Sequence, residues 1–467
     1  MAQDKGLSLA ETPVGTGRLF GGSVFAEASA RQWYVLLVLS LIYALNIADR
    51  YVISTLMESM KLDLHLTDTG VAVLSGVGLA LFYVTAGIPI SWLADRYSRR
   101  NILAASLVIW SAMTVLTGLS RTFFQMLGAR VLVGVGESGG TPPSTSMLAD
   151  YFRPRHQTAV LTIWALGACL GAWLGQDIAG RIADAFDWRT AFLAMGVPGV
   201  VMGIIVFTTL REPKRGVMSD GNAPAAAPVE EAEVPQFSGL WAILRQMFAD
   251  LLIILRQPAT MHLIVGSALT ALWGWGLMWW MPTYLQRTYH MTTGEAGAML
   301  GPMQLIAGSL ATVGTSLFLA TPMMANPKRV LHLMALIVGL TTIPSFFIFW
   351  THNLAITKVC LWVMVPAMYF YIGPCFGLLN NLVQPHLRAM VSAVTLLAAN
   401  ICNLVIAPMF VGMASDYFGG VKGGDAASLR LALMILAPTG FWAAWHYWYA
   451  TKKIDAQLAV VRGAKQS

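Results

Sequence analysis

Four ionisable residues stand where an apolar chain should carry none. Asp49 and Arg50 are adjacent inside the first long apolar segment, and Arg130 and Glu137 lie in the fourth. A charge at bilayer depth costs several kcal/mol on insertion scales and marks a site where charge is handled. Arg130 and Glu137 are seven apart and so share one face, two turns apart, if their segment is helical. Two acids and two bases neutralise one another, which lowers the desolvation cost. A static network tying the two segments together is one reading of such a quartet. The other is chemical. Protonating an acid releases its arginine, whose planar fork can then hold a carboxylate or phosphate. Proton and anion then change each other's affinity through a shared partner. On this reading Asp49 and Glu137 take the proton, while Arg50 and Arg130 take an anionic head group.

A second constellation nearby invites a different chemistry. Gly136-Glu-Ser138-Gly-Gly140 matches the Gly-x-Ser-x-Gly pattern of serine hydrolases. That nucleophile needs a strand-to-helix turn and a histidine base. No strand pattern precedes Ser138, and the eight histidines fall in loops or near segment ends. An intramembrane serine hydrolase is the remote alternative; no catalytic residue, metal site or cofactor is expected, only a proton gradient. The four cysteines, Cys169, Cys360, Cys375 and Cys402, lack metal or redox spacing and read as small core residues.

The elements that must position these groups are membrane helices. Of 467 residues 56% are hydrophobic and 11% charged, against about 25% charged in ordinary soluble domains. Apolar runs of spanning length fall near 33–59, 70–94, 101–119, 123–149, 157–184 and 190–210, then 259–286, 295–321, 329–350, 354–384, 389–416 and 428–450. Pro142 and Pro143 should bend the fourth span near its end. The expected fold is all-α, integral to the membrane, with twelve transmembrane helices in two six-helix, pseudo-symmetric halves. The divisions are an N-terminal tail 1–32, a first bundle 33–210, a linker 211–258, a second bundle 259–450 and a C-terminal tail 451–467. The linker is rich in Ala, Pro and Glu and too poor in large apolar groups to fold alone. Residues 237–257 resemble an amphipathic helix lying on the membrane surface.

Residues 1–30 carry no signal-peptide pattern. With both termini cytoplasmic, inner segments hold 20 Lys and Arg, outer segments 8, and Arg50 and Arg130 complete the 30. That asymmetry is the positive-inside bias. The net charge of +7 thus reflects topology, with no nucleic acid required. A monomer in a bacterial inner membrane is expected, its partners being the bilayer, protons and a small-molecule or lipid substrate.

Two six-helix halves suggest a secondary transporter built from repeats. Between the second and third spans, Ser91-Trp-Leu-Ala-Asp95-Arg96-Tyr-Ser98-Arg99-Arg100 resembles the loop signature of the major facilitator superfamily, with serines at both glycine positions. Arg121 to Gly136 and Asp187-Trp188-Arg189 resemble it too. The resemblance implies a cytoplasmic gate of Asp95, Arg96, Arg99, Arg100 and Asp150, in which Asp95 and Arg96 clasp neighbouring helix ends, including the one bearing Asp150.

A narrower likeness lies at the charged residues. Asn46-Ile-Ala-Asp49-Arg50-Tyr51 and Gly134-Val-Gly-Glu137-Ser-Gly-Gly-Thr-Pro-Pro-Ser-Thr-Ser-Met-Leu-Ala-Asp150 resemble spinster-like transporters, particularly their bacterial members. The resemblance implies proton coupling at Asp49 and Glu137 and head-group binding at Arg50 and Arg130. It further implies a lysophospholipid- or sphingolipid-like substrate moved by alternating access. Organic-anion/proton symporters share the Asp-Arg and Gly-Glu pairs, so a small organic anion is the main alternative.

The second half has no charge in the middle of a span but many aromatics and amides. A cavity with one charged wall and one aromatic, amide-dotted wall suits an amphipathic anion. Its expected lining is Asn46, Tyr83, Trp279, Tyr369, Asn380 and Asn400.

Overall fold

Short polar side chains set where the helices begin. Ser29 accepts the Gln32 amide while the Gln32 side chain takes the Ser29 amide, a reciprocal cap. It opens α1, Ala30–Asp63. The computed structural model describes residues 27–213, 215, 245, 248–319, 321–384, 387–419 and 424–463. After α1 follow α2 (Asp68–Ala94) and α3 (Arg99–Leu119). Then comes α4 in two pieces, Phe123–Glu137 and Thr141–Tyr151. The first half ends with α5 (Pro154–Ala185) and α6 (Trp188–Thr209). The second half holds α7 (Pro258–Tyr289), α8 (Thr293–Leu319), α9 (Pro327–Trp350), α10 (Leu354–Leu382), α11 (Met390–Gly419) and α12 (Ala426–Ala450). Ser98, Thr122, Asn353 and Asp425 cap α3, α4, α10 and α12. Asp187 caps α6, and the Thr190 amide 2.6 Å away holds its carboxyl below the usual carboxylate range.

Eleven of these helices are individually long and apolar enough to span a membrane, among the described residues. The twelfth, α4, falls short because it is broken, and its break corrects the expectation about the prolines. The helix stops at Ser138–Gly140, and Pro142 and Pro143 sit in the first turn of the second piece. There a missing N–H costs nothing. The double glycine makes the break, and prolines restart the helix.

The spans expected from sequence agree with the observed ones to within a few residues. The linker 211–258, with its amphipathic helix 237–257, lies mostly outside the described residues, as do residues 1–26. Of that helix, 248–255 is helical. The C-terminal tail is not plain coil. Its helix Ile454–Gly463 docks back through Gln457, which donates to the Leu382 carbonyl and accepts the Ala259 amide.

Within the first half α3 packs on α6 and α1 on α5; within the second, α7 and α9 pack on α12. The halves meet where α5 crosses α8, α2 crosses α11 and α1 crosses α7. Glycine permits the tightest of these crossings. A Cβ on Gly76 would stand 2.0 Å from the Leu404 carbonyl oxygen, and one on Gly297 2.1 Å from that of Gln176. Wide π-type turns at Val73–Val77, Leu174–Ile178 and Ile401–Ile406 lie in three of those crossing helices. With twelve helices alternating in direction, the start of α1 and the end of α12 lie on one face, called here the tail face.

Candidate functional site: a cavity with one exposed charge

Helix α1 runs unbroken through Asp49 and Arg50, so the two side chains leave it about 100° apart. Arg50 turns toward α4 and donates from Nε to Glu137 Oε2 at 2.9 Å. Its guanidinium carbon also lies 4.8 Å from the Tyr83 ring centroid, in cation–π range. Asp49, 3% exposed, lies beside Thr114 of α3 and within electrostatic range of Arg130 and Glu137 of α4. The four charges of the sequence reading are therefore assembled.

Their bonding is lopsided. Arg50–Glu137 is the ion pair formed within the quartet, among the described residues. Arg130 is fully buried, yet none of its three nitrogens has a hydrogen-bond partner, and neither has Glu137 Oε1. A buried donor left unpaired costs about 1–3 kcal/mol, and more when charged. The quartet is thus not a saturated static network.

Below this cluster, toward the tail face, lies a cavity of about 880 Å³. The first half contributes Tyr43, Ile47, Arg50 and Tyr51 from α1, Thr145 from α4 and Thr158 to Ala168 from α5. The second contributes Trp275, Trp279, residues of α8 from Thr312 to Leu319, Tyr369 and Phe376, and Asn403 with Leu404. Among the described residues that line it, Arg50 is the sole charged one. Everything else is aromatic, aliphatic, hydroxyl or amide.

Of the expected lining, Trp279 and Tyr369 reach the cavity. Tyr83 instead backs the Arg50 guanidinium, and Asn46 faces a narrow crevice with Gly140, Thr141, Ser144 and Trp164. Asn380 and Asn400 are not among the lining residues. Asn380 lies near the tail end of α10, its carbonyl accepting from Arg388. Past Asn400 the wide turn at Ile401–Ile406 alters the helical register, and Asn403 takes the cavity position.

The cavity roof joins the halves through groups the sequence did not single out as a unit. Gln304 is fully buried; its amide donates to Tyr51 Oη at 3.1 Å and its carbonyl accepts from Tyr369 Oη at 3.0 Å. Trp279 Nε1 donates to Ser75 Oγ at 3.1 Å, and the Trp279 carbonyl accepts from Ser54 Oγ at 2.5 Å.

Beyond the roof, the face opposite the tails is latched by charge. Arg287 of α7 donates to Glu58 Oε2 at 2.6 and 2.8 Å and to both oxygens of Asp68 at 2.7 and 2.8 Å. Asp68, fully buried, also accepts from Lys61 at 2.7 Å and Ser415 at 2.6 Å. Asp416 of α11 takes the amides of Asp68 and Thr69 and the Thr69 hydroxyl. Sequence reading missed this latch because each member lies at a span end, where charges ordinarily meet water.

On the tail face, Arg99 is buried and donates to Asp150 at 2.5 Å, Glu212 at 2.8 Å and Ser146 at 2.9 Å. Arg99 therefore grips Asp150, the contact expected of the Asp95–Arg96 pair. Arg96 rests on the Trp92 ring at 4.0 Å, and Arg100 lies over Phe207. Asp95 follows Ala94 in the helical turn that continues α2 to Arg96, but its side chain is outside the described residues. Ser138 donates to the Val135 carbonyl at 2.7 Å within its own helix, and among the described residues no histidine bonds to it.

Comparison with known proteins places this architecture. A family model described as the Major Facilitator Superfamily matches residues 39–407. The chain belongs to the major facilitator superfamily. Among curated relatives of this superfamily member, an MFS-type efflux pump of Mycolicibacterium smegmatis is 29% identical over 426 residues, 91% of this chain and 93% of that one. A sphingosine-1-phosphate transporter of Danio rerio is 30% identical over 182 residues, 38% of this chain and 36% of that one. A solved bacterial homolog of the human lysosomal transporter spinster, inward-facing and unoccupied, is 26% identical with a TM-score of 0.75. It is covered to 99%, and 92% of this chain is matched. The spinster resemblance read from the charged motifs is thus matched over the whole fold. The superfamily's members are transporters rather than enzymes.

Proposed function

We propose that this superfamily member is a proton-coupled secondary transporter of an anionic amphiphile, lysophospholipid- or sphingolipid-like, working by alternating access. One observation carries the reading: Arg50, the single charge among the described residues lining a large aromatic cavity, is the same group that holds Glu137. An anion entering the cavity competes with Glu137 for that guanidinium. A proton on Glu137 withdraws the competitor. Each ligand therefore raises the other's affinity, which is reciprocal linkage. Asp49 and Arg130, held nearby, are the second proton and anion positions. The remaining wall, with Trp275, Trp279, Tyr369 and Phe376, accommodates an apolar tail, and 880 Å³ is the size of cavity that buries drug-sized ligands. The positive-inside charge bias supports a cytoplasmic tail face; with that orientation the cavity lies on the inner side and the latch closes the outside. We assign no resident cofactor; the proton gradient supplies the energy. The unit is a monomer in a bacterial inner membrane.

Reconstitution into liposomes with an imposed pH gradient tests this. Labelled lysolipid flux should depend on the gradient, and small dicarboxylates should not replace it. Flux of carboxylates alone would transfer the reading to a small organic anion, and flux indifferent to the gradient would remove the coupling.

The roof gives a narrower expectation. Because Gln304 donates to Tyr51, the Tyr51 hydroxyl hydrogen is left for the cavity. Glu at this position accepts from both tyrosines and adds a negative charge beside the anion. Gln304→Glu should weaken substrate binding by roughly tenfold or more, the scale of one charged hydrogen bond, with Gln304→Leu less affected. Equal affinities in both variants, measured by equilibrium binding, would mean that the Tyr51 hydroxyl does not donate to the substrate.

The gate carries another. Asp95→Ala should slow transport at least several-fold and leave equilibrium affinity within about twofold, since it changes the balance of states rather than the cavity. A loss confined to affinity would contradict the gate role.

A further inference from the structure

Where α12 leaves the bilayer on the tail face, basic side chains collect beside exposed tryptophans. Trp442, Trp445 and Trp448 recur every third residue and are 56%, 45% and 43% exposed, forming one outward stripe. In the turn that follows, Lys452 stands 3.9 Å from the Trp448 ring centroid, and both Lys452 and Lys453 stand 5.8 Å from that of Tyr449. Beneath them His262 of α7 meets His446 of α12, Nδ1 to Nδ1 at 2.9 Å. The His262 ring packs at 4.6 Å from Tyr449 and 5.8 Å from Trp445. Among the described residues none of these four basic side chains forms an ion pair. Lys328, on the same face, is paired with Asp455 at 2.5 Å.

An interfacial aromatic belt accounts for tryptophans and lysines at this depth. It does not account for two imidazoles brought together from different helices under two ammonium groups that rest on aromatic faces. Ammonium groups held by cation–π contact are oriented yet keep their N–H donors. A hydrogen-bonded imidazole pair has further ring nitrogens to turn outward. Basic pockets between transmembrane helices on this side of a membrane protein suit anionic lipid head groups.

We propose that this cluster binds the phosphate of an anionic glycerophospholipid, with an acyl chain lying along Trp442 and Trp445. The site is separate from the cavity between the halves and independent of what the cavity carries. Lipid rather than free phosphate is the occupant because the stripe continuing from the basic cluster is lipid-facing.

Native mass spectrometry of the full-length protein, titrated with phosphatidylglycerol or phosphatidylcholine of matched chains, tests the site. Each lysine near an anionic surface contributes roughly fivefold. The protein should therefore retain one phosphatidylglycerol with roughly 25-fold preference over phosphatidylcholine, on that per-lysine scale. In K452Q/K453Q that preference should fall below about twofold on the same scale. H262Q/H446Q should weaken it, and K328Q should leave it intact. Millimolar inorganic phosphate should not displace the lipid. Absence of preference in the native protein, its survival in K452Q/K453Q, no change in H262Q/H446Q, an equal loss in K328Q, or displacement by phosphate would each overturn the proposal. The substituted lysines lie on the surface, so retained transport in K452Q/K453Q confirms that the variant is folded.

Discussion

Glu137→Gln should abolish concentrative, gradient-driven uptake while leaving substrate exchange intact. The amide keeps the shape of Glu137 but cannot titrate, and it no longer holds Arg50 as a charge-assisted pair. Such a hydrogen bond contributes about 1.5–3 kcal/mol, so substrate affinity in the variant should rise by roughly tenfold or more. The sign with pH follows from the same contact. In the native protein, falling pH protonates Glu137, frees Arg50 and strengthens anion binding. In the variant, binding should lose that part of its pH dependence, and Asp49→Asn should remove what remains. Uptake against a gradient and binding isotherms across pH measure both. Undiminished accumulation in the double variant would end the assignment of protons to these acids.

The second large effect concerns the face opposite the tails. Asp68 accepts from Arg287, Lys61 and Ser415 while fully buried, and two of these partners, Arg287 of α7 and Ser415 of α11, leave with the other half if the halves part there. Removing one partner of a buried charged network costs about 3–5 kcal/mol. Asp68→Asn should therefore shift the equilibrium toward opening on that face by a hundredfold or more, at roughly tenfold per 1.4 kcal/mol. Gly297→Val should do the same by bulk, because its Cβ would meet the Gln176 carbonyl oxygen at 2.1 Å. Electrostatic and steric changes share no common defect, so agreement between them identifies closure rather than misfolding. Cysteine accessibility at positions lining that face reads the result. Unchanged labelling in both variants would mean that neither the latch nor the α5–α8 crossing holds the face shut.

Much of this was legible in the sequence, for identifiable reasons. Insertion energy makes intramembrane charge conspicuous, so Asp49, Arg50, Arg130 and Glu137 stood out at once. Hydropathy fixed the spans because spanning length is a physical constant of the bilayer. What escaped was tertiary. Glu58, Lys61, Asp68, Arg287 and Asp416 sit at helix ends, where a charge needs no partner to be tolerated. Nothing in one dimension says that four helices bring them together. The helical register on α11 was lost at Asn400 because a wide turn rotates everything beyond it. On α4 the prolines drew attention from the two glycines that end the helix.

The trans contact at Asp416 has a consequence for the backbone itself. The first turn of α2 is held by a carboxylate from the other half, which takes the amides of Asp68 and Thr69. The Thr67 hydroxyl takes the Gly70 amide and its carbonyl the Val71 amide. Parting the halves therefore strips two amides of their acceptor and leaves that turn to fray into water. The molecule carries its own reporter of which face is open: solvent exchange at Asp68 and Thr69 should be slow while the latch is shut and fast once it parts, with no label attached.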